Sequence, residues 1–420
     1  MDLRDKNVVL VVIDSLTAFR LPFYGCDEVE APFLEELAEN NILANFTYSA
    51  SIWSVPSHAS MFTGSLPSKH KCTSETMNLD KETIADKMKD RGYSTASITT
   101  NYFINKEIGF DSGFDTFINH QAEVSAPDSL KESKALERIQ NYSTLHRYFK
   151  YMIFGWTALI NREFSAIKAG LRYLWNGRRW YSEDHGAEGI NRMSEKFVKN
   201  NDRFFLFINY MEVHSPDSVS DKKGLEAYDE AIEYLDEKIE NLYNSVISED
   251  PETVFIITSD HGESQGFYRY GNHELTGHQY AITERNIRVP LIIAGKDLKQ
   301  TEIDRNISLT EIHDLILGEK NTEELGQEEV YSEYMGAGEF LKTKNKSFSN
   351  ILMQLKNMNK KKVSKMGLKL LKDKKEVTDL HLNKSLALIN DRKGYILNTH
   401  MPDYQFTAFK DRFKDQKKAS

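Results

Sequence analysis

Cysteine is scarce. The chain holds two, Cys26 and Cys72, in no CxxC spacing. That argues against a disulfide framework and against a cysteine-built zinc site. Long apolar runs are also missing. The longest candidate, Tyr151–Ile160, lies between Lys150 and Arg162 and falls short of the ~20 residues of a membrane helix. Val8–Ile13, near the N-terminus, is too short for a signal-peptide apolar region. These absences lead to the expectation of a soluble, cytoplasmic protein with no transmembrane segment. An overall basic excess is lacking as well: 54 Lys+Arg stand against 63 Asp+Glu, a net charge of −9. A uniformly basic nucleic-acid binder is excluded. The balance is uneven, however. Residues 341–420 carry 20 basic and 7 acidic residues, against 34 and 56 in residues 1–340. The C-terminal excess is either a solvated Lys-rich subdomain or a basic rim that draws in an anionic polymer.

What is present suits a large core. Hydrophobic residues make up 40% of 420 and aromatics 11%, which is not the composition of a disordered chain. Val8–Ile13 is a continuous β-branched run, as expected of a strand covered on both faces. Ser94–Thr99, Phe204–Tyr210, Val254–Thr258 and Val289–Ala294 read as further strands. Ala31–Asn41, Ser54–Thr63, Thr83–Arg91 and Leu225–Ser245 have helical character, with Gly64 and Gly92 as stops. Strand and helix alternate over residues 7–317. The expected fold is therefore α/β, with a parallel or mostly parallel sheet flanked by helices.

Two regions break the alternation. Residues 119–185 hold three of the four tryptophans and read as a mainly helical insertion, either a lid over a substrate or a satellite packing its own aromatics. Residues 325–420, Lys-rich from Lys356 to Lys375, read as a small α+β subdomain. The expected division is a catalytic domain at 1–324 and a basic subdomain at 325–420.

In an open parallel sheet, sites gather beyond the carboxyl ends of the strands. Asp14 follows the first strand there, Glu212 and His214 follow Phe204–Tyr210, and Asp260 and His261 follow Val254–Thr258. Carboxylates and imidazoles converging at one edge suit a divalent cation. Taken alone, an Asp after a strand reads more often as a helix cap than as a ligand.

Eight segments then occur in a fixed order. Val9–Tyr24 contains strand-Asp14-Ser15-Leu16. Ser51–Gly64 contains Ser54-Val55-Pro56-Ser57-His58. Gly109–Asp115 reads GFDSGFD, Asn209–Pro216 reads NYMEVHSP and Tyr228–Asp236 reads YDEAIEYLD. Thr258–Glu263 reads TSDHGE, and Gly271–His278 and Arg288–Ile293 follow. This series resembles the sulfatase family of the alkaline phosphatase superfamily. The resemblance implies an alkaline-phosphatase-like fold and a metal-dependent ester hydrolase. It implies one divalent ion, Ca²⁺, Mn²⁺ or Mg²⁺ rather than Zn²⁺, held by Asp14, Ser54, Asp260 and His261. It implies Ser54 as nucleophile, for which the plain alternative is a helix N-cap. His214 and His278 are the implied acid–base or charge-stabilising residues, with His278 where sulfatases commonly carry a lysine. His58, Asn101 and His273 are candidate substrate contacts; for Asn101 and His273 a loop residue bonding its own backbone is the alternative.

The departures bear on chemistry. The family's Cys- or Ser-x-Pro-Ser-Arg has His58 in place of Arg, and Thr17 and Phe19 replace the usual Arg and Asp of the opening segment. Without that Arg, conversion of Ser54 to formylglycine is in doubt. A sulfated serine lacks the geminal hydroxyl that expels sulfate, whereas water can attack phosphorus in a phosphorylated one. The expected substrate is an anionic sulfate or phosphate/phosphonate ester (a sulfuric or phosphoric ester, phosphodiesters included), such as a modified glycan. The competing readings are a transferase of a phospho-substituent to a glycan and a non-catalytic binder of anionic glycans.

Overall fold

The structure, a computed structural model, describes residues 1–73, 76–119, 186–266, 268–270, 273–275, 277–278, 282–335, 384–390, 393–398 and 407–410. In chain order the elements are β1 (Val8–Ile13), α1 (Pro32–Asn40), β2 (Ile42–Tyr48), α2 (Ser54–Thr63), α3 (Pro67–His70), α4 (Ile84–Asp90), β3 (Ser94–Thr99) and β4 (Thr116–Asn119). After them come α5 (Ala187–Lys199), β5 (Phe204–Tyr210), α6 (Leu225–Glu249), β6 (Val254–Thr258), β7 (Tyr268–Tyr270), β8 (His273–Leu275), β9 (Arg288–Val289), β10 (Leu291–Ala294) and β11 (Thr301–Ser308). The strands β12 (Glu329–Met335), β13 (Lys384–Asn390), β14 (Lys393–Asn398) and β15 (Thr407–Lys410) lie towards the C-terminus.

A nine-stranded sheet runs β11-β2-β10-β6-β1-β5-β3-β4, with β9 paired to β2. β1 is parallel to both neighbours, in register from Val8 against Phe205 and Val254. β10 opposes β6 and β2, and β9 opposes β2. The mostly parallel expectation holds, with one addition. Val289–Ala294 is two short strands rather than one, because Pro290 has no N–H to donate to a ladder. β2 and β11 had no reading in the sequence. β2 is almost wholly buried, so it shows no alternation of polar and apolar residues.

Strand alternation sorts the core into two layers. Val8, Leu10 and Val12 share a cluster with Val55, Ala59 and Phe62 of α2 and Ile84 and Met88 of α4. Val9, Val11 and Ile13 share the other with Leu34 and Leu37 of α1, Ile190 of α5 and Tyr228, Ala231 and Leu235 of α6. Burying each such side chain contributes roughly 1.5–3 kcal/mol. The sheet is thus clamped from both faces, and its strand ends make a stiff platform.

β12 to β15 form a separate four-stranded antiparallel sheet. Beyond Asn119, the insertion expected at 119–185 lies outside the described residues, as do the Lys-rich stretch 356–375, His120 and His146. Among the described residues no helix is long and apolar enough to cross a membrane.

Candidate active site

α2 begins at Ser54, with Trp53 rather than Ser54 as its N-cap. The Ser54 hydroxyl is therefore not spent on capping. It lies 3.4 Å from Asp14 Oδ2 and 3.3 Å from His261 Nε2. Ser54 is 3% exposed, and Asp14, Asp260 and His261 are each fully buried. Gly64, at φ +63°, ends the helix in the left-handed conformation expected of a terminal glycine.

Asp14, Asp260 and His261 present ligand atoms that all lie within 4.8 Å of one another. They come from the ends of the adjacent strands β1 and β6. His261 Nδ1 donates to the Gly262 carbonyl at 3.1 Å, which leaves the Nε2 lone pair facing the site. Asp260 Oδ2 lies 3.3 Å from that nitrogen and 3.6 Å from His58 Nδ1. It nevertheless makes no hydrogen bond, although it is buried. Burial, with His278 nearby, lowers the His261 pKa to about 3, so the ring is neutral. Two buried carboxylates and an imidazole lone pair thus point at one another, an arrangement costly without a cation. These residues fit a divalent ion.

Other groups surround this centre. Asn101 Nδ2 donates to Asp14 Oδ2 at 2.7 Å, and its Oδ1 accepts the Phe103 N–H at 2.9 Å. One end of Asn101 thus orients the Asp14 carboxylate while the other closes a local turn. The rings of His278 and His261 are 4.1 Å apart, and those of His278 and His214 are 5.5 Å apart. His214 lies 3.3 Å from Ser215 Oγ and is partly exposed. His278 Nδ1 is 2.9 Å from Glu263 Oε2. Desolvation pushes the Glu263 carboxyl up to about 7, against the pull of His214 and His261. Glu263 had no role assigned from the motifs; its signal was its place two residues after His261, at the end of the TSDHGE segment.

His58 lies behind Ser54, fully buried. Its Nδ1 donates to the Ser54 carbonyl at 2.8 Å, and its ring meets Phe62, Phe110 and Phe207 edge-on. Asn209 Nδ2 is 3.5 Å from its Nε2. His273 falls on β8, whose side chains lie outside the described residues. Glu212, expected at the converging edge, does not join the ligand group. Its Oε1 instead accepts the Ala187 N–H at 2.7 Å and so caps α5. Burial raises its carboxyl above the ordinary range.

Helix α6 explains the segment at Tyr228–Asp236. Asp236 accepts the Phe33 and Leu34 N–H groups at 3.0 and 2.8 Å, which satisfies the open start of α1. Asp229 holds Arg20 through two hydrogen bonds, at 2.9 and 2.7 Å. Tyr228 Oη donates to the Ser15 carbonyl at 2.7 Å and accepts the Thr17 N–H at 2.9 Å. The motif fastens the loop that follows Asp14.

A curated arylsulfatase of Hemicentrotus pulcherrimus is 24% identical over 325 residues, covering 68% of this chain and 53% of that protein. The chain thus spans about half the length of that relative, and the matched parts of other curated relatives are shorter. The phosphonate monoester hydrolase of Agrobacterium radiobacter superposes with a TM-score of 0.59 at 12% identity, covering 98% of this chain and 90% of that one. A 2-O GAG sulfatase superposes at 0.56 and 12% identity, covering 98% and 86%. These two likenesses concern the fold. The sulfatase family model matches residues 6–318, and with that match spanning the sheet and the Ser54 site, the chain belongs to the sulfatase family.

Proposed function

We propose that the protein is a metal-dependent hydrolase of sulfate or phosphate/phosphonate esters that works through a covalent intermediate on Ser54. The observation that carries this reading is the Ser54 hydroxyl, free of capping and within 3.4 Å of both Asp14 Oδ2 and His261 Nε2. Asp14, Asp260, His261 and Ser54 would hold one divalent cation. Oxygen-rich ligands with one imidazole favour Ca²⁺, Mn²⁺ or Mg²⁺ over Zn²⁺. The cation, when bound, lowers the hydroxyl pKa of Ser54 and offsets the two carboxylates.

The residues supply the rest. The first turn of α2 offers backbone N–H groups and partial positive charge to an anionic ester. Ser54 Oγ gives up its proton to solvent water and bonds to sulfur or phosphorus. The bond to the leaving oxygen breaks, and His278 or His214 donates a proton to that oxygen. Water then attacks the intermediate and frees Ser54. Because water can attack phosphorus in a phosphorylated serine, the chemistry of an unconverted Ser54 favours phosphate or phosphonate esters. His58 acts from behind as a support for Ser54; Asn101 and His273 remain proposed contacts of the substrate region. Residues 1–324 would form the catalytic domain and 325–420 an attached subdomain. The substrate class is an anionic ester, with sulfated or phosphorylated glycans as the natural candidates.

The test compares aryl sulfate, phosphate and phosphonate monoesters on protein whose Ser54 peptide has been weighed. Unmodified Ser54 with turnover of phosphorus esters is the expected result. Formylglycine at Ser54 with sulfate preference would overturn the phosphorus reading.

A further inference from the structure

Ser15 follows the ligand Asp14 and is fully buried. Its φ is +65°, in the left-handed region that a serine seldom adopts. Such strain persists only where surrounding contacts hold it. Here three contacts converge on one residue. The Ser15 N–H donates to Asp260 Oδ1 at 3.1 Å. The Ser15 hydroxyl donates to Asp14 Oδ1 at 3.2 Å. The Ser15 carbonyl accepts the Tyr228 hydroxyl at 2.7 Å.

The consequence lies in which oxygens remain. Ser15 ties Oδ1 of both carboxylates, and the His261 N–H adds a second bond to Asp260 Oδ1 at 2.9 Å. Oδ2 of Asp14, the oxygen nearest Ser54, is already held by Asn101 at 2.7 Å, so the oxygen left unbonded is Oδ2 of Asp260, which faces His261. An extended Ser15 would turn its N–H away from Asp260 and let that carboxylate rotate. The neighbouring residue stitches the same two loops together: Leu16 N–H donates to Ser259 Oγ at 2.9 Å, and Ser259 Oγ donates to the His261 carbonyl at 2.6 Å.

We propose that Ser15, held in its left-handed conformation by Tyr228, is the positioning residue that selects which oxygen of Asp260 faces the cation site. Tyr228 is thereby a positioning residue as well, one step further out. The proposal rests on the reading of Asp14, Asp260 and His261 as ligands. It goes beyond that reading by assigning the orientation of Asp260 to two residues that do not themselves bind the ion.

The test is titration calorimetry of Mn²⁺ into the full chain, with no substrate present. Glycine adopts positive φ freely, so Ser15→Gly keeps the amide on Asp260 and loses only the long hydroxyl contact; its affinity stays within about threefold of wild type. Ser15→Val cannot hold the conformation, and its affinity falls by about tenfold or more. Tyr228→Phe keeps ring packing and removes the clamp, and its affinity also falls about tenfold. This isosteric variant keeps the proposal testable if Ser15→Val fails to fold. Wild-type affinity in a folded Ser15→Val or in Tyr228→Phe overturns the clamp but leaves the cation site standing. A wild-type chain that takes up no Mn²⁺ overturns the cation reading and the clamp with it.

Discussion

Glu263 Oε2 accepts the Nδ1–H of His278 at 2.9 Å, and both side chains are nearly buried, at 12% and 5% exposure. This bond orients the His278 ring, and a carboxylate on Nδ1–H supports the doubly protonated ring that proton donation from Nε2 would require. Glu263→Gln keeps the size but cannot serve as a carboxylate acceptor. It is expected to lower kcat by about tenfold or more with little change in KM, as for a lost orienting partner of a catalytic group. The loss should grow for esters with poor leaving groups, because those need proton donation most. Equal loss across a leaving-group series would assign Glu263 a purely structural role.

The Ser54 hydroxyl stands between Asp14 and His261. Ser54→Ala removes the attacking atom and one of four proposed ligands while keeping the helix start, since Trp53 is the N-cap. Turnover is expected to fall by about 10³-fold or more, with Mn²⁺ binding weakened but present. Rapid-quench mass spectrometry should show an adduct on the Ser54 peptide in wild type and none in the variant. Full activity in Ser54→Ala would remove Ser54 from the mechanism.

Much of this candidate site was legible because its residues lie in short motifs at strand ends. Asp14 closes an all-apolar run, and Asp260 and His261 close another. Ser54 precedes a Pro-bearing helix start. The positioning groups were not legible. Ser15 and Tyr228 meet across 213 residues of chain, and a backbone at φ +65° leaves no mark in composition. Glu212 looked like a ligand because it follows a strand; its link to Ala187 becomes visible only once α5 packs beside β5. The strands β2 and β11 escaped notice for different reasons. The first is buried at every position but Asn45, and the second carries Thr301, Glu302, Asp304 and Arg305 at an outer edge of the sheet.

Gly262 donates its N–H to the Asn286 carbonyl at 2.7 Å, and a Cβ added there would lie 1.9 Å from the Arg285 carbonyl oxygen. The short helical turn Glu284–Ile287 before β9 therefore presses against the backbone next to His261. Gly262→Ala must push the two segments apart, at a cost of about 2–3 kcal/mol. Urea unfolding should show that loss, and Mn²⁺ affinity should drop with it because His261 is adjacent. An alanine variant as stable as wild type would mean that the two loops yield without resistance.

His70 offers a pH test away from the cation site. Its Nδ1 accepts the Cys72 N–H at 3.0 Å, so the neutral ring carries its proton on Nε2, 3.0 Å from Ser60 Oγ. Ser60 in turn donates to the Pro56 carbonyl at 2.9 Å, inside the helix that starts at Ser54. Desolvation lowers the His70 pKa from 6.5 to about 4. Between these values the unfolded chain binds a proton that the folded chain refuses. The contribution is therefore complete above pH 6.5 and is lost as pH falls towards 4. The full span corresponds to about 3 kcal/mol. Urea unfolding at pH 7.5 and 4.5 should show His70→Gln less stable than wild type at the higher pH, with the gap narrowing at the lower. His261 titrates in the same direction but is common to both proteins, so it leaves that difference unchanged. A gap of equal size at both pH values would mean that His70 already accepts its proton within the fold.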